Sequence, residues 1–560
     1  MAISERIVPI IPFEFNEAID LEGHEAWFVD SLHTLESPDF FLSTYSEANT
    51  QGMIWGAEKL PLPASKGSEW RNINFVKILI CPIVVTSEAE IRERQARLNE
   101  NLFSLIQGFE KMWGDYKSEL LELYRPYKEF DVGKASSVEL VRKLSHLKPV
   151  VNRMSEVHFY VMYVAFYFFM LFEDLCQELF GIDATHPDFQ AMITGFENKS
   201  FECEKNLWLL SQKALELDLG QYFDFPSDQI ASSMQGTENG KKWLNSLNEF
   251  IEEFGWRNER LWTPAAPSWR DDPKYVIDRV KVYRKVGEES PLVERLKTLT
   301  SRREQKIAEY MPKVAEEKKD IFQLLLKGAQ YASSYGEEHD LYCEMQTDAL
   351  MHMYLMALGT RFVEAGACNE VNDIFQLTLD ESRVIGMYPE KYRLQSLIAA
   401  RKEKGKEDAK DVVPNMYSKT MNEQEAFGWM MSAREPIFLK VVVGELPKPK
   451  PELKADLIGV GGASGVAEWP ARLISSVEEL NTVQPGEILV ALTTSITWTP
   501  LFSLVKGAVL DRGGTLSHAA VVCREYGIPC VLNTFQATAK IKNGQRIRVD
   551  GNAGAVYFLD

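Results

Sequence analysis

The 560 residues, 45% hydrophobic and 26% charged, are enough to bury more than one core, and roughly two to four domains are expected at this length. A net charge of -19 excludes nucleic acid as a main partner, because phosphate backbones reward clustered Lys and Arg. The seven cysteines form no Cys-x-x-Cys pair and no Cys/His cluster of zinc spacing, and their odd number suits reduced thiols in the cytoplasm.

The chain opens Met-Ala-Ile-Ser-Glu-Arg-Ile, without a basic stretch leading into an apolar core, so no signal peptide is expected. Residues 1–85 read as a mixed segment. From about 85 to 435 the pattern is helical: Leu98, Leu102, Leu105, Phe109, Met112 and Tyr116 recur at three- and four-residue steps, as do Leu350, Met353, Leu358 and Phe362. Val157–Phe172 runs sixteen residues without a formal charge between Glu156 and Glu173-Asp174. That is short of the roughly 20 residues a spanning helix needs, so a buried helix is expected, with no membrane partner. Gly236-Thr-Glu-Asn-Gly-Lys241 has one residue too few between its glycines for a Walker A loop, and it lies among helical segments. Arg401–Asp411 mixes both charge signs densely and reads as a solvated loop or helix end. In Leu446-Pro-Lys-Pro-Lys-Pro-Glu452, alternating prolines make a semi-rigid extended spacer.

Beyond the spacer, Gly507-Ala-Val-Leu-Asp511 is strand-like, Gly513-Gly514 permits a tight turn with positive φ, and Ala519–Tyr526 reads as a helix closed by Gly527. Strand, glycine turn and helix start make an anion site. There the backbone N–H groups of Gly513 and Gly514, the hydroxyls of Thr515 and Ser517 and the helix dipole all favour a phosphate. His518 stands at this place, and neutral imidazole is nucleophilic near pH 7, which suits a covalent phosphoryl carrier. For an isolated histidine, a helix cap or a core hydrogen bond would be the ordinary reading.

These residues resemble the phosphohistidine swivelling domain of PEP-utilising enzymes such as phosphoenolpyruvate synthase, pyruvate phosphate dikinase and rifampin phosphotransferase. Gly486-Glu-Ile-Leu-Val490, Trp498-Thr-Pro-Leu-Phe502, Tyr526-Gly-Ile-Pro-Cys530 and Val549–Gly554 stand in the order and approximate spacing of that domain. The opening turn departs from it, with Trp469 where glycine is common. The resemblance implies a multidomain chain: a large, mostly α-helical substrate domain over 1–445, a Pro/Lys linker over 446–454, and a C-terminal α/β (β/β/α) swivelling domain over 455–560. Phe254-Gly-Trp-Arg257, Pro267–Pro273, Glu338–Tyr342 and Ala357–Arg361 look like the helical domain that precedes the carrier in rifampin phosphotransferase, and Trp55–Glu58 with Leu62–Arg71 like the opening of the same group.

No segment resembles the family's ATP-grasp nucleotide site or its phosphoenolpyruvate-binding barrel. In this the chain is similar to the carrier-bearing subunit of phenylphosphate synthase. That resemblance implies ATP and Mg2+ on a separate nucleotide-binding subunit, no metal on this chain, and a small aromatic hydroxyl as acceptor. An alcohol, enol or antibiotic hydroxyl, a scaffold protein that only retains a carrier-like domain, and a pyruvate-type enzyme split across chains stay open as alternatives. Transfer to a hydroxyl needs in-line placement, positive charge on the phosphoryl oxygens and a base. Arg71 and Arg257 are the candidates for the charge and His339 for the base, each equally explicable as a structural residue.

Overall fold

The structure, a computed structural model, describes residues 25–30, 42–73, 77–258, 260–286, 291–408, 416–448, 450, 452–475, 477–494 and 496–559. The opening heptapeptide, parts of the 1–85 segment, and positions 409–411 of the charged run therefore lie outside the described residues. The chain forms two compact units, neither of them one continuous stretch: residues 1–163, 260–267 and 342–435 in the first, and 164–259, 268–341 and 436–560 in the second. The helical body thus divides between both units. The second unit unites the helical residues 164–259 and 268–341 with the carrier segment.

In the first unit, strands β1 (Ala26–Asp30), β2 (Ser65–Ile73), β3 (Lys77–Val84) and β4 (Met416–Ser418) form an antiparallel sheet of order β2-β3-β1-β4. The helix Glu88–Lys128 starts at Ser87, whose hydroxyl accepts the Glu90 N–H, and it carries Glu88 and Glu90 in its first turn, where the helix dipole favours negative charge. Its buried stripe is Leu98, Ile106, Phe109, Trp113, Leu120 and Tyr124. This seam is rotated from the expected one, because Trp113 and Ile106 take the core face while Leu102, Met112 and Tyr116 lie at its margin. The helix Ser137–Phe180, which contributes to both units, is by length and composition apolar enough to cross a membrane. Every residue from Val157 to Met170 is buried within the protein, as a core helix requires.

In the second unit, β5 (Leu457–Ile458), β6 (Val460–Ala463), β7 (Val466–Leu473), β8 (Ile488–Ala491), β9 (Gly507–Leu510), β10 (Cys530–Leu532), β11 (Arg546–Asp550) and β12 (Ala555–Phe558) form a sheet of order β5-β12-β11-β7-β8-β9-β10-β6. The pairs β7–β8, β8–β9 and β9–β10 are parallel, and every residue of β8, β9 and β10 is buried, as parallel strands covered on both faces should be. Alternation sorts the strands' side chains. Ile488, Val490, Val509 and Val531 share one core with Ala537, Ile547 and Val549. Leu489, Ala508, Leu510 and Leu532 face the other way, into a core shared with the helix His518–Tyr526 and with Trp243, Phe250, Trp269 and Tyr283 of the helical segments. This second core brings the helical segments against the carrier helix. Among its described residues the spacer 446–454 contains no helix or strand.

Candidate active site around His518

Strand β9 delivers the chain to a turn that is fixed from several sides. Asp511 is buried and accepts the Thr534 hydroxyl at 2.8 Å and the backbone N–H groups of Ala537 and Thr538 at 2.5 and 3.1 Å. Gly513 has φ +121°, a conformation that L side chains rarely adopt, and a Cβ there would stand 2.9 Å from the Ser517 hydroxyl. Ser517 is the N-cap, and the helix His518–Tyr526 runs until Gly527 closes it in the left-handed region. Arg524, on the same helix, reaches back and donates to the Thr515 carbonyl at 2.7 Å and the Gly462 carbonyl at 3.1 Å. His518 therefore stands at the first helical position of a turn tied at both ends. Its Nε2 is 3.4 Å from the hydroxyl of buried Thr499, and its ring meets Phe502 edge-on at 6.3 Å.

Across from it lies the helix Lys199–Glu216, capped by Asn198, whose side chain accepts the Phe201 N–H at 2.8 Å. The buried stripe of this helix is Ser200, Cys203, Leu207, Leu210 and Ala214, and Glu204 falls within it, 5% exposed. The Tyr283 hydroxyl donates to its Oε2. Burial pushes the Glu204 carboxyl up to about 7, against the pull of the Tyr283 bond, Arg257, Arg279 and His518. Arg257 is 2% exposed, with its guanidinium over the rings of Phe254 and Trp269 at 5.3 and 5.9 Å. Its backbone carbonyl accepts the Trp269 N–H at 2.8 Å, and its Nη2 points to the Lys199 carbonyl at 3.4 Å. The Nη1 of Arg257 is buried with no hydrogen-bond partner among the described residues, and the same holds for Nη1 of Arg295, whose guanidinium lies 4.8 Å from the Tyr526 ring centre. Two buried cationic donors without acceptors leave room for an anion. A cavity of about 40 Å³ opens beside Glu204 and Arg295, lined also by Phe201, Thr499, Val522 and Tyr526 among others.

None of the site residues singled out in the sequence is among the described residues that line this cavity. Gly513, Gly514, Thr515, Ser517 and His518 form one turn, yet Thr515 turns both its N–H and its hydroxyl to the carboxylate of Glu445, at 2.7 and 2.6 Å, instead of holding them open for phosphate. The Ser517 hydroxyl is buried and has no partner among the described residues. Arg71 belongs to the first unit, on β2, where Glu69 accepts from its Nε at 2.5 Å and the Trp27 ring lies 5.1 Å away. His339 sits at the end of the helix Lys319–Asp340, its Nδ1 3.1 Å from the Tyr335 carbonyl and its Nε2 2.9 Å from Asp340, and it is not among the described residues lining the cavity. Glu204, a buried carboxyl that does line it, escaped the sequence reading. The available signal was a carboxylate on the apolar face of an amphipathic helix. Gly236–Lys241 is a helix start: Thr237 caps the helix Glu238–Phe254 by accepting the Gly240 N–H at 3.0 Å. In the first unit, His158, Cys343 and Glu344 converge with donor atoms within 4.8 Å of one another, and His158 Nδ1 contacts Glu344 at 2.9 Å. Residues so far apart in the chain leave no spacing signature.

Comparison with known proteins adds a lineage to this geometry. Residues 483–554 match the PEP-utilising enzyme mobile domain, and residues 157–337 match the rifampicin phosphotransferase fourth domain. The chain is 31% identical to chondramide synthase cmdD of Chondromyces crocatus over 433 residues, 75% of this chain and 11% of that protein. It is 24% identical to an uncharacterised phosphotransferase, YvkC, of Bacillus subtilis over 82% of this chain and 54% of that one. With the rifampicin phosphotransferase of Bacillus cereus it shares 28% identity over 59% of this chain and 36% of the relative. The chain thus spans between about a tenth and about half of the length of these curated relatives. Over these two segments the chain is thus similar to PEP-utilising enzymes, with the mobile-domain match around His518 and the rifampicin phosphotransferase fourth-domain match before it.

Proposed function

We propose that this chain carries a phosphoryl group on His518 and delivers it, in the cavity of the second unit, to the hydroxyl of a small aromatic molecule. The observation that carries the reading is the setting of Glu204, which feels the charge of His518 and Arg257: a buried carboxyl poised near 7 in the lining of one largely apolar cavity, with a buried guanidinium nitrogen of Arg295 without an acceptor in the same lining and one of Arg257 nearby. In the transfer, the P–N bond to the imidazole breaks, the nitrogen keeps the electron pair, and a P–O bond forms to the acceptor. Arg257 and Arg295 neutralise charge on the non-bridging oxygens, and Glu204 takes the hydroxyl proton. A phenol loses its proton near pH 10, so a base that is ionised above about 7 is sufficient. Phe196, Phe201, Leu292 and Leu296 supply apolar walls for a ring, around an enclosed space of about 40 Å³ that must widen to admit one.

The donor in this reading is ATP with Mg2+ on a separate nucleotide-binding subunit, as in phenylphosphate synthase, with the carrier segment moving on the spacer 446–454 between the two sites. The phosphotransferase names of two relatives support the reaction class. The test is discharge of the phosphorylated chain against a panel of phenols and aliphatic alcohols of matched size. Loss of the label to phenols, with the aryl phosphate recovered, is expected; discharge only to aliphatic alcohols would overturn the choice of acceptor.

A further inference from the structure

The carrier turn already holds an anion, and it comes from the chain itself. Glu445, 17% exposed at its side chain, accepts the Thr515 N–H on Oε2 at 2.7 Å and the Thr515 hydroxyl on Oε1 at 2.6 Å. Lys440, 9% exposed, bonds the same Oε1 at 2.9 Å and continues to Glu173 at 2.6 Å, which in turn accepts the Ala184 N–H at 3.1 Å. Burial opposes the charge on Glu445, yet Lys440 and the two bonds from Thr515 hold its carboxyl below the ordinary range.

The backbones on either side are equally committed. Gly444 has φ +69°, and a Cβ on it would stand 2.6 Å from the Gly514 Cα; one on Gly514 would stand 2.2 Å from the Lys440 carbonyl oxygen. Asn533 ties the Val443 and Glu445 carbonyls, both at 2.9 Å. Glu445 also immediately precedes the proline spacer that begins at Leu446. A carboxylate in the donor set of the turn, anchored through Lys440 to Glu173 at the point where the spacer starts, is placed to decide whether the turn stays against the helical segments.

We propose that Glu445 is a positioning residue, a latch that holds the His518 turn at the cavity through Thr515 and lets it go when the carboxylate is displaced. The inference rests on the carrier reading of His518 for its functional half and on the contacts alone for its structural half. In Glu445→Gln an amide nitrogen, which donates and cannot accept, replaces one of the two accepting oxygens, and the charge facing Lys440 is lost; Thr515→Val removes the hydroxyl from the other side.

The experiment measures hydrogen exchange of the peptide covering residues 511–518, and separately the rates of charging and discharging His518, in the full chain and in both single variants and the double variant. Faster exchange of the 511–518 peptide is expected with the remaining sheet unchanged, together with discharge slowed about tenfold or more, charging unaltered, and a double variant no worse than Glu445→Gln. Wild-type exchange of that peptide in Glu445→Gln, or equal losses in charging and discharge, would overturn the latch. A chain that never accepts a phosphoryl group while the variants still exchange faster would instead sink the carrier reading and leave the latch standing.

Discussion

Glu204→Gln probes the poised carboxyl without involving any acceptor. An ordinary glutamate titrates at 4.5, and burial moves this one to about 7. The folded protein therefore keeps a proton that the unfolded chain has lost throughout the interval between those values. Stability attached to Glu204 is fully present below about 4.5, falls as pH rises through the interval, and is gone above about 7. At 1.36 kcal/mol per pH unit the full change is about 3 kcal/mol. Glutamine is uncharged at every pH, occupies the same volume and can still accept from the Tyr283 hydroxyl, so it removes the titration and little else. Urea unfolding followed by fluorescence at pH steps from 4.5 to 8.5 gives the comparison, read as the difference between wild type and variant so that other titrating groups cancel. Glu204→Gln is expected to gain about 3 kcal/mol relative to wild type between the two ends of the range. Parallel curves would refute the placement of a proton-holding carboxyl in this core.

Further expectations concern the cavity and the turn. Arg257→Ala should slow discharge of phosphorylated His518 roughly 10²-fold while leaving charging intact, and Arg257→Lys should not restore it, because an ammonium does not reproduce a guanidinium stacked on Phe254 and Trp269; single-turnover discharge reads both. Gly514→Ala puts a methyl group 2.2 Å from the Lys440 carbonyl oxygen, so a stability loss of about 1–3 kcal/mol is expected in thermal or urea unfolding. All seven cysteines are buried, and burial pushes the thiols of Cys81, Cys176, Cys203 and Cys368 up to about 12, so a thiol reagent should react with none of the seven in the native chain at pH 8 and with all of them in denaturant.

What the sequence made legible was local. The strand Gly507–Leu510, the glycine turn, the helix closed at Gly527 and the buried run after Val157 each depend on neighbours within a few residues, and each stands where patterning put it. The stripe of Glu88–Lys128 came out one step rotated, because side-chain spacing fixes a helix but not which of two adjacent apolar rows a distant partner covers. What was not legible was set by contacts between residues far apart. Glu204 becomes a poised acid only because Tyr283, Arg257 and the carrier segment enclose it, and Thr515 is diverted from an open cradle by Glu445, 70 residues earlier. The spatial units were equally hidden: the helical body divides between them, while a reading along the chain places boundaries only where composition changes.

The central claim is that His518 is the phosphoryl carrier. The direct measurement is tandem mass spectrometry under non-acidic conditions of the full chain incubated with ATP, Mg2+ and an extract of its source organism. The account predicts an acid-labile phosphoryl group on the peptide containing His518, absent from His518→Ala and lost from the wild type on adding a phenol. A chain that takes up no acid-labile label from ATP, or that is labelled equally in His518→Ala, would contradict it.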